Sequence, residues 1–446
     1  MEASTPTQAR EAGAMPEMDA PLIQDWDQVA QMMPADLEEL AMETGALVRR
    51  RGIRRAIDLL RIVMAYAICD WSLRLISAWG VVMGIADVSD VAILNRLRKS
   101  TTWLGCLIVR LLQRRHLRLA QAPGVRLRLI DATTVSKPGS QGTDWRIHVS
   151  LDLEQMCLDG MEVTDAHGGE SLVRFPSQPG EIKVADRGYA FASSLAPDVA
   201  AGVGLVVRIT WRNLPLEDQE GERFDLIAWL RNTFCSAAVQ GPQETQVWLA
   251  TPEGRYPLRL VAVALPQEKA DRARQRARKR ANKKGQTPDP RTLFAASFVL
   301  LLTNLPPDEW PAPRIVTLYR LRWQIELLFK RLKSLLHLDD LRAHDPRLAQ
   351  TYLLGKLLGA LLLDELTQAT ATRVPEWFHS LERPVSPWRL TACLYEAWRH
   401  LVSGPFWPAQ VMEALPNLQR FLCDSPRKRR QQLAWARIWF ANLSAC

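Results

Sequence analysis

The chain has 446 residues, 47% of them apolar, and a formal net charge of +9. This length allows two to four domains, and this apolar share excludes a wholly disordered chain. The basic excess fits a polyanionic partner. The seven cysteines are scattered without a C-x-x-C pair, which argues against a disulfide framework or a zinc site and favours a reducing, cytoplasmic compartment. The first residues carry no signal-peptide pattern, and the apolar runs are too short and too charged to span a membrane.

The N-terminal part predicts a polar leader followed by helices. Residues 1–25 are polar and contain proline, and we expect them to be disordered. Residues 26–120 predict a helical, DNA-binding domain. Within it, residues 72–100 predict two helices around a turn, with Asp87 or Ser89 capping the second helix. This outline fits a helix-turn-helix and equally an ordinary packed helix pair.

From about residue 125 the pattern changes to short strands. Segments rich in Val, Ile and Leu, separated by Gly, Pro and Ser, predict strands at 125–135, 145–155, 161–167, 181–190 and 203–211. Strand-like pieces with a hairpin continue beyond residue 213, and a further strand is predicted at 294–305. Helices then dominate to the C-terminus, with a break near 374–387.

A basic tract interrupts this pattern at residues 268–292. It holds nine Lys or Arg residues between Lys269 and Lys284, against one acid, Asp271. Charge runs of this kind are usually a solvated helix or a flexible loop. The sequence leaves both structures open.

Residues 319–338, YRLRWQIELLFKRLKSLLHL, predict one amphipathic helix with a carboxylate in the middle. Glu326 shares a polar stripe with Tyr319, Arg322 and Lys333, because positions seven apart nearly eclipse on a helix. The helix alone predicts a solvated face with an Arg322–Glu326 ion pair. Any other role for Glu326 has to come from the rest of the chain.

Two aspartates are predicted at the ends of apolar strands. Asp131 follows RLRLI and Asp186 follows EIKVA, and the carboxyl ends of strands are where α/β sheets place their active sites. Each could also be a plain helix N-cap. Together with Glu326 they would suit Mg²⁺, which prefers oxygen ligands, and two such ions about 4 Å apart can catalyse phosphoryl transfer.

These residues resemble the motifs of a known family. Tyr319, Arg322, Glu326 and Lys333 fit Tyr-x2-Arg-x3-Glu-x6-Lys, and the sequence resembles bacterial insertion-sequence DDE transposases of the IS-four type. DATT at Asp131 and ADRGYA at 185–190 resemble the two Asp boxes of that family. The resemblance implies Asp131, Asp186 and Glu326 as the catalytic, metal-binding triad for two Mg²⁺ ions, with Mn²⁺ able to substitute.

The resemblance also implies the fold. It is an α/β protein with an RNase H-like catalytic core in two parts, residues 121–212 and 293–375. A mostly β insertion with the basic tract, residues 213–292, interrupts the core. Helical N- and C-terminal regions flank it, and the C-terminal region, residues 376–446, could serve dimerisation.

The implied activity is cut-and-paste transposition. The protein would cut double-stranded DNA at terminal inverted repeats and join the ends to target DNA, as a nucleoid-associated homodimer acting in trans, with no membrane partner. The residues expected to contact DNA are Tyr319, Arg322, Lys333, Arg187, Lys330, Arg276, Arg278, Lys279 and Arg280. Phe298 is the nearest counterpart of a base-stacking Trp in the family, and the alternative is a strand core residue. The alternative functions are a transposase-derived DNA-binding protein without catalysis and an RNase H-like nuclease lacking strand transfer.

Overall fold

The computed structural model describes residues 23–119, 125–235, 241–373, 375 and 386–422. Residues 1–22 of the leader expected at 1–25, and most of the break predicted near 374–387, lie outside these ranges. One mixed sheet with nine strands in the order β3-β2-β1-β4-β5-β9-β8-β7-β6 lies at the centre of the described part. The strands are β1 Leu127–Val135, β2 Trp145–Asp152, β3 Cys157–Asp165, β4 Ile182–Ala185, β5 Gly204–Arg208, β6 Leu216–Glu217, β7 Gln243–Thr251, β8 Gly254–Ala264 and β9 Phe298–Thr303.

The first five strands form the predicted RNase H-like core. β1, β2 and β3 pair antiparallel in chain order, whereas β4 and β5 run parallel to β1. The parallel step from β4 to β5 needs a crossover, which α6, Ala192–Ala200, provides. β1, β4 and β5 therefore point their carboxyl ends toward the same edge of the sheet.

The insertion continues this sheet instead of forming a separate body. β7 and β8 form the predicted hairpin, β8 pairs with β9, and β9 pairs antiparallel with β5. The helices of this part are α7 Leu226–Thr233, α8 Gln267–Lys283 and α9 Pro290–Ala295. The expected strands are present, but the insertion is not mostly β, because the helices hold more of its described residues than the strands do. The basic tract forms α8, a helix and not a loop.

The remaining helices pack against the sheet or against one another. They are α1 Leu37–Glu43, α2 Ala56–Ala67, α3 Leu73–Val82, α4 Asp90–Lys99, α5 Thr101–Leu119, α10 Ala312–Arg320, α11 Trp323–Leu336, α12 Pro346–Arg373, α13 Pro387–Ser403, α14 Pro408–Glu413 and α15 Leu415–Leu422. α3 and α4 are the predicted helix pair, and Ser89 caps α4 by accepting the Ala92 N–H. α12 packs against α2 and α5 and also against β3, so the N-terminal helices share one core with the C-terminal half.

Two placements that bear on the site differ from the prediction, although β1 ends at residue 135 as the strand predicted at 125–135 does. β1 does not end at Asp131 but continues to Val135, because Asp131 and the residues after it still pair with β2. Only the parallel pairing with β4 stops before Asp131. The single helix predicted at 319–338 is two helices, because Leu321 and Arg322 make i→i−3 hydrogen bonds that break the regular turn.

Across the residues that the structure describes, no helix combines the length and apolarity needed to cross a membrane.

Candidate active site

The sheet places Asp131 and Asp186 side by side. Ile130 of β1 is paired in parallel register with Ala185 of β4, and each aspartate is the next residue along its strand. Neighbouring strands are about 5 Å apart, so the two side chains leave the sheet close together. Asp186 is followed at once by a 3₁₀ turn, Arg187–Tyr189. Asp186 therefore directly follows the end of its strand, as predicted. Asp131 directly follows the last β1 residue that pairs with β4, although β1 itself continues to Val135.

Helix α11 brings Glu326 to the same place, because it packs against β1. The break before α11 turns Tyr319 and Arg322 toward the sheet. The Tyr319 hydroxyl donates to an Asp186 oxygen at 3.1 Å, and the Arg322 guanidinium donates to Asp131 at 2.9 Å and also to Glu326. Two hydrogen-bonded groups result, Tyr319 with Asp186 and Arg322 with Asp131 and Glu326. They adjoin each other, because the Arg322 guanidinium lies over the Tyr319 ring, 5.9 Å from its centroid.

The Arg322 contacts correct one expectation. The sequence interpretation placed Arg322 on DNA phosphates and not on Glu326, whereas in this structure Arg322 forms the ion pair with Glu326. The bond to Asp131 goes beyond a solvated helix pair, since it joins residues 191 positions apart. Contact between Arg322 and DNA stays a prediction.

The two aspartates differ in pKa, because burial dominates at Asp131 and nearby donors and cations dominate at Asp186. Burial raises the pKa of Asp131 to about 6, although the Ala132 N–H and the Arg322 cation act to lower it. Burial also acts to raise the pKa of Asp186, but the Arg187 N–H, Arg322 and Arg208 outweigh it, and the pKa is lowered. Asp186 is therefore the more firmly ionised carboxylate.

An open cavity of about 580 Å³ lies over Asp131 and Glu326. Two predicted DNA-contacting residues lie on its wall: Lys330 is exposed and Lys333 is half-buried. The wall is completed by Ala132, Phe329, Ser334 and Asp339. Carboxylates that suit a cation and cations that suit a phosphate therefore face the same opening.

A second cavity, of about 450 Å³, brings the basic helix to the active site. Arg276 and Arg280 of α8 line it together with Arg187, the residue after Asp186. Burial lowers the pKa of Arg187, and the nearby Arg280 cation lowers it further. Arg278 and Lys279 are exposed on α8 and do not line this cavity. Only part of the predicted basic set therefore adjoins the site.

Phe298 is a core residue in this structure. Its ring is 9% exposed and packs against Phe234 and Phe294, with ring centroids 5.0 and 5.3 Å away. The structure thus supports the strand-core alternative. Base stacking by Phe298 would require the ring to leave both neighbours.

Sequence reasoning missed two charged groups near the aspartates. Glu170, in the loop after β3, contributes to the raised pKa of Asp131, and Arg208 contributes to the lowered pKa of Asp186. Arg208 ends β5, so the same strand-end rule that selected Asp186 could have selected it. Glu170 follows a pair of glycines and carries no such signal.

The donor set fits a hard divalent cation, because all three predicted ligands are carboxylates, which supply oxygen atoms only. Within the described ranges, no three Asp, Glu, His or Cys side chains are grouped closely enough to hold a metal. The positive charge between Asp131 and Glu326 is supplied by Arg322. The site is thus chemically suited to a cation and is charge-paired internally here.

Comparisons with known proteins agree with this site. Residues 123–363 match a family described as "Transposase DDE domain", a range that contains all three carboxylates. The chain is 41% identical over 341 residues to the putative transposase InsL for insertion sequence element IS186A of Escherichia coli (strain K12), which covers 75% of this chain and 91% of that protein. It is also 41% identical over 342 residues to the transposase for insertion sequence element IS421 of Escherichia coli, with the same coverage.

One solved structure, the piggyBac transposase synaptic complex with hairpin DNA, aligns with 91% of this chain and 87% of its own, at a TM-score of 0.44 and 11% identity.

The chain belongs to the DDE transposases, a family of enzymes. Its long matches to insertion-sequence proteins further identify it as a transposase of the IS-four type, as the motif around Glu326 predicted.

Proposed function

We propose that this transposase moves its element by a cut-and-paste reaction. It would hydrolyse a phosphodiester at each terminal inverted repeat and join the exposed 3′-OH to target DNA. The observations that support this most strongly are the strand pairing that sets Asp131 beside Asp186 and the Arg322 bridge from Asp131 to Glu326. Asp131 and Glu326 also line an open cavity together with two lysines.

In this proposal the three carboxylates hold two Mg²⁺ ions, for which Mn²⁺ could substitute. Bound in this way, such ions activate an attacking oxygen and stabilise a leaving one. Asp186, with its lowered pKa, is ionised at neutral pH, and Asp131, with a pKa of about 6, is mostly ionised there. Tyr319 stays protonated, because burial raises its pKa to about 12, and it orients Asp186 through its hydroxyl.

The cations around the site would position the DNA end. Lys330 and Lys333 on the cavity wall would meet phosphates as point charges, and Arg322 would meet them through its planar fork. Arg187 and the cations of α8 would hold the backbone farther along the duplex. The partner is double-stranded DNA, both element ends and target, and we propose a homodimer that pairs two ends in trans.

A strand-transfer assay tests this proposal. The purified chain is mixed with linear DNA ending in the inverted repeats that flank its gene and with a supercoiled target, in Mg²⁺ or in EDTA. We expect end cleavage and joined products in Mg²⁺ only. Cleavage without joining would identify a nuclease, and end binding without cleavage would identify a DNA-binding protein that has lost catalysis.

A further inference from the structure

Glu170 is a fourth carboxylate at the catalytic edge of the sheet. It is half-buried, in the loop between β3 and the 3₁₀ turn Leu172–Arg174. A Cβ built on Gly188 would lie 1.6 Å from the Glu170 Oε2 atom. The carboxylate therefore rests directly on the backbone of the turn that follows Asp186, and a side chain at position 188 would displace it.

A buried framework holds Glu170 and Asp186 together. Lys183 lies on β4, three residues before Asp186, and is fully buried. Its ammonium group donates to the Leu172 carbonyl at 3.0 Å and forms an ion pair with Asp198 at 2.8 Å. The loop that carries Glu170 is thus anchored to the strand that carries Asp186.

The Glu170 carboxylate has no directly bonded counter-charge among the described residues. The Arg146 and Arg174 guanidiniums donate instead to the Gly168 and Gly169 carbonyls of its loop. Among the contacts of the described residues, it takes part in no hydrogen bond or ion pair, whereas Asp131, Asp186 and Glu326 each accept at least one hydrogen bond. Its charge acts on Asp131, and also on the fully buried Tyr189, whose hydroxyl has no hydrogen-bond partner among the described atoms. A half-buried carboxylate beside other carboxylates is unfavourable without a cation.

We infer that Glu170 is a positioning residue of the catalytic centre, which supports the turn after Asp186 and adds the negative charge that draws divalent cations to it. This inference rests on the proposed metal-dependent function. The competing explanation is that Glu170 is only a spacer that fills the gap over Gly188. The inference requires the negative charge of Glu170, whereas the spacer explanation requires only its shape.

Mn²⁺ binding to the full chain without DNA tests this inference, with free Mn²⁺ measured by electron paramagnetic resonance. Glu170→Gln keeps the shape and removes the charge. We expect it to weaken Mn²⁺ binding roughly tenfold, while the thermal unfolding midpoint in EDTA is no lower than that of the wild type. Glu154→Gln, in the exposed turn between β2 and β3, is the matched control and should bind as wild type does.

The outcomes separate the two explanations. Wild-type Mn²⁺ affinity in Glu170→Gln would leave Glu170 as a spacer only and overturn the inference. Asp186→Asn tests the metal site itself: if it also bound Mn²⁺ normally, the proposed function would fail first. Gly188→Ala, which must displace the carboxylate, should weaken binding in the wild type and add nothing further in a Glu170→Ala background.

Discussion

Arg322 connects the carboxylates of the site, and its geometry explains why an arginine is there. One guanidinium reaches Asp131 on β1 and Glu326 on its own helix. Burial acts to lower its pKa, but Tyr319 and Asp131 raise it, so the group stays charged. Lysine carries a point charge on a flexible stem and lacks the fork that spans two acceptors.

Replacing Arg322 with Lys should therefore impair the enzyme although the charge is kept. We expect DNA-end cleavage in Mg²⁺ to fall at least roughly tenfold, because both bonds from the planar group are lost. Arg320→Lys, at an exposed neighbouring position, serves as the control and should cleave normally. Normal cleavage by Arg322→Lys would mean that cleavage needs only a cation paired with Glu326, four residues along the helix, and not the planar guanidinium.

Asp131 should make the metal-free protein less stable as the pH rises. Its pKa is raised to about 6 in the folded state, above the model-peptide value near 3.9, so the folded protein binds the proton more tightly. The stabilisation is present below about pH 4 and is lost as the pH rises through 6. Asp131→Asn escapes this loss, so its unfolding midpoint relative to wild type should be higher at pH 7.5 than at pH 4.5.

The measurement is thermal unfolding of both proteins in EDTA at the two pH values. Asp289→Asn is the control, because hydrogen bonds from Arg291 hold the pKa of Asp289 below its ordinary value, and the carboxyl is therefore ionised at both pH values. The difference in unfolding midpoint between that variant and wild type should be nearly the same at the two pH values. If the difference in unfolding midpoint between wild type and Asp131→Asn did not change with pH, the raised pKa of Asp131 would be contradicted.

Strand positions singled out Asp131 and Asp186, and the resemblance of the motif around Glu326 to a known family joined Glu326 to them. The structure sets Asp131 beside Asp186 and links Asp131 to Glu326 through Arg322. The Arg322–Asp131 bond and the position of Glu170 could not be predicted, because both depend on contacts between distant elements. The break at 321–322, which directs Tyr319 and Arg322, is a tertiary effect that helix periodicity does not record.

At the scale of the elements, the helix α8 is hard to predict because its many charges are equally typical of a flexible loop. Its alanines at 270, 273, 277 and 281 recur at helical spacing, and all four are buried or half-buried while most of the cations are exposed. This small-residue face lets α8 lie close to the body of the protein. The number of charges does not reveal this spacing, whereas the three- and four-residue spacing of the alanines favours a helix over a loop.

The exposed cations of α8 should contact the DNA backbone. Arg272 and Arg274 are paired with acids of the same helix, whereas Arg276, Arg278, Lys279 and Arg280 have no ion pair among the described residues. If about four phosphates are neutralised, changing these four cations to Gln should flatten the slope of log K against log salt by roughly three to four. The loss should be similar for end-bearing and random duplexes.

Binding titrations at several salt concentrations measure this slope. Arg272→Gln removes a cation that is already paired with Glu268 and should change the slope much less. Equal slopes of log K against log salt for the wild type and the quadruple variant would show that these cations do not contact DNA phosphates and that α8 is only a solvated surface.

At the scale of the whole molecule, long-range pairing decides the architecture. β9 joins the insertion to β5, and α12 joins the N-terminal helices to the sheet. The number and type of most elements followed from periodicity. Their assembly into one sheet with packed helices did not, because strand order and helix packing depend on contacts between residues far apart in the chain.

Close packing of α12 against α2 provides a stability test. A Cβ at Gly355 would lie 2.7 Å from the Ala67 Cβ, so Gly355→Ala should lower the free energy of unfolding by about 1–3 kcal/mol. Gly105→Ala in α5 meets no atom within 4 Å and should raise it by about 0.5–1 kcal/mol through helix propensity. Unfolding midpoints of the two variants should therefore shift in opposite directions, and a stabilised Gly355→Ala would contradict this packing.

The most direct test of the whole account is cleavage of DNA carrying the terminal inverted repeats, measured beside DNA-end binding. The proteins are the wild type, Asp131→Asn, Asp186→Asn and Glu326→Gln, in Mg²⁺. Each substitution nearly keeps the shape and removes the anionic charge that a divalent cation needs. The account predicts that all three variants bind the ends about as the wild type does and cleave none of them. Near-normal cleavage by any one variant would contradict the proposed catalytic site.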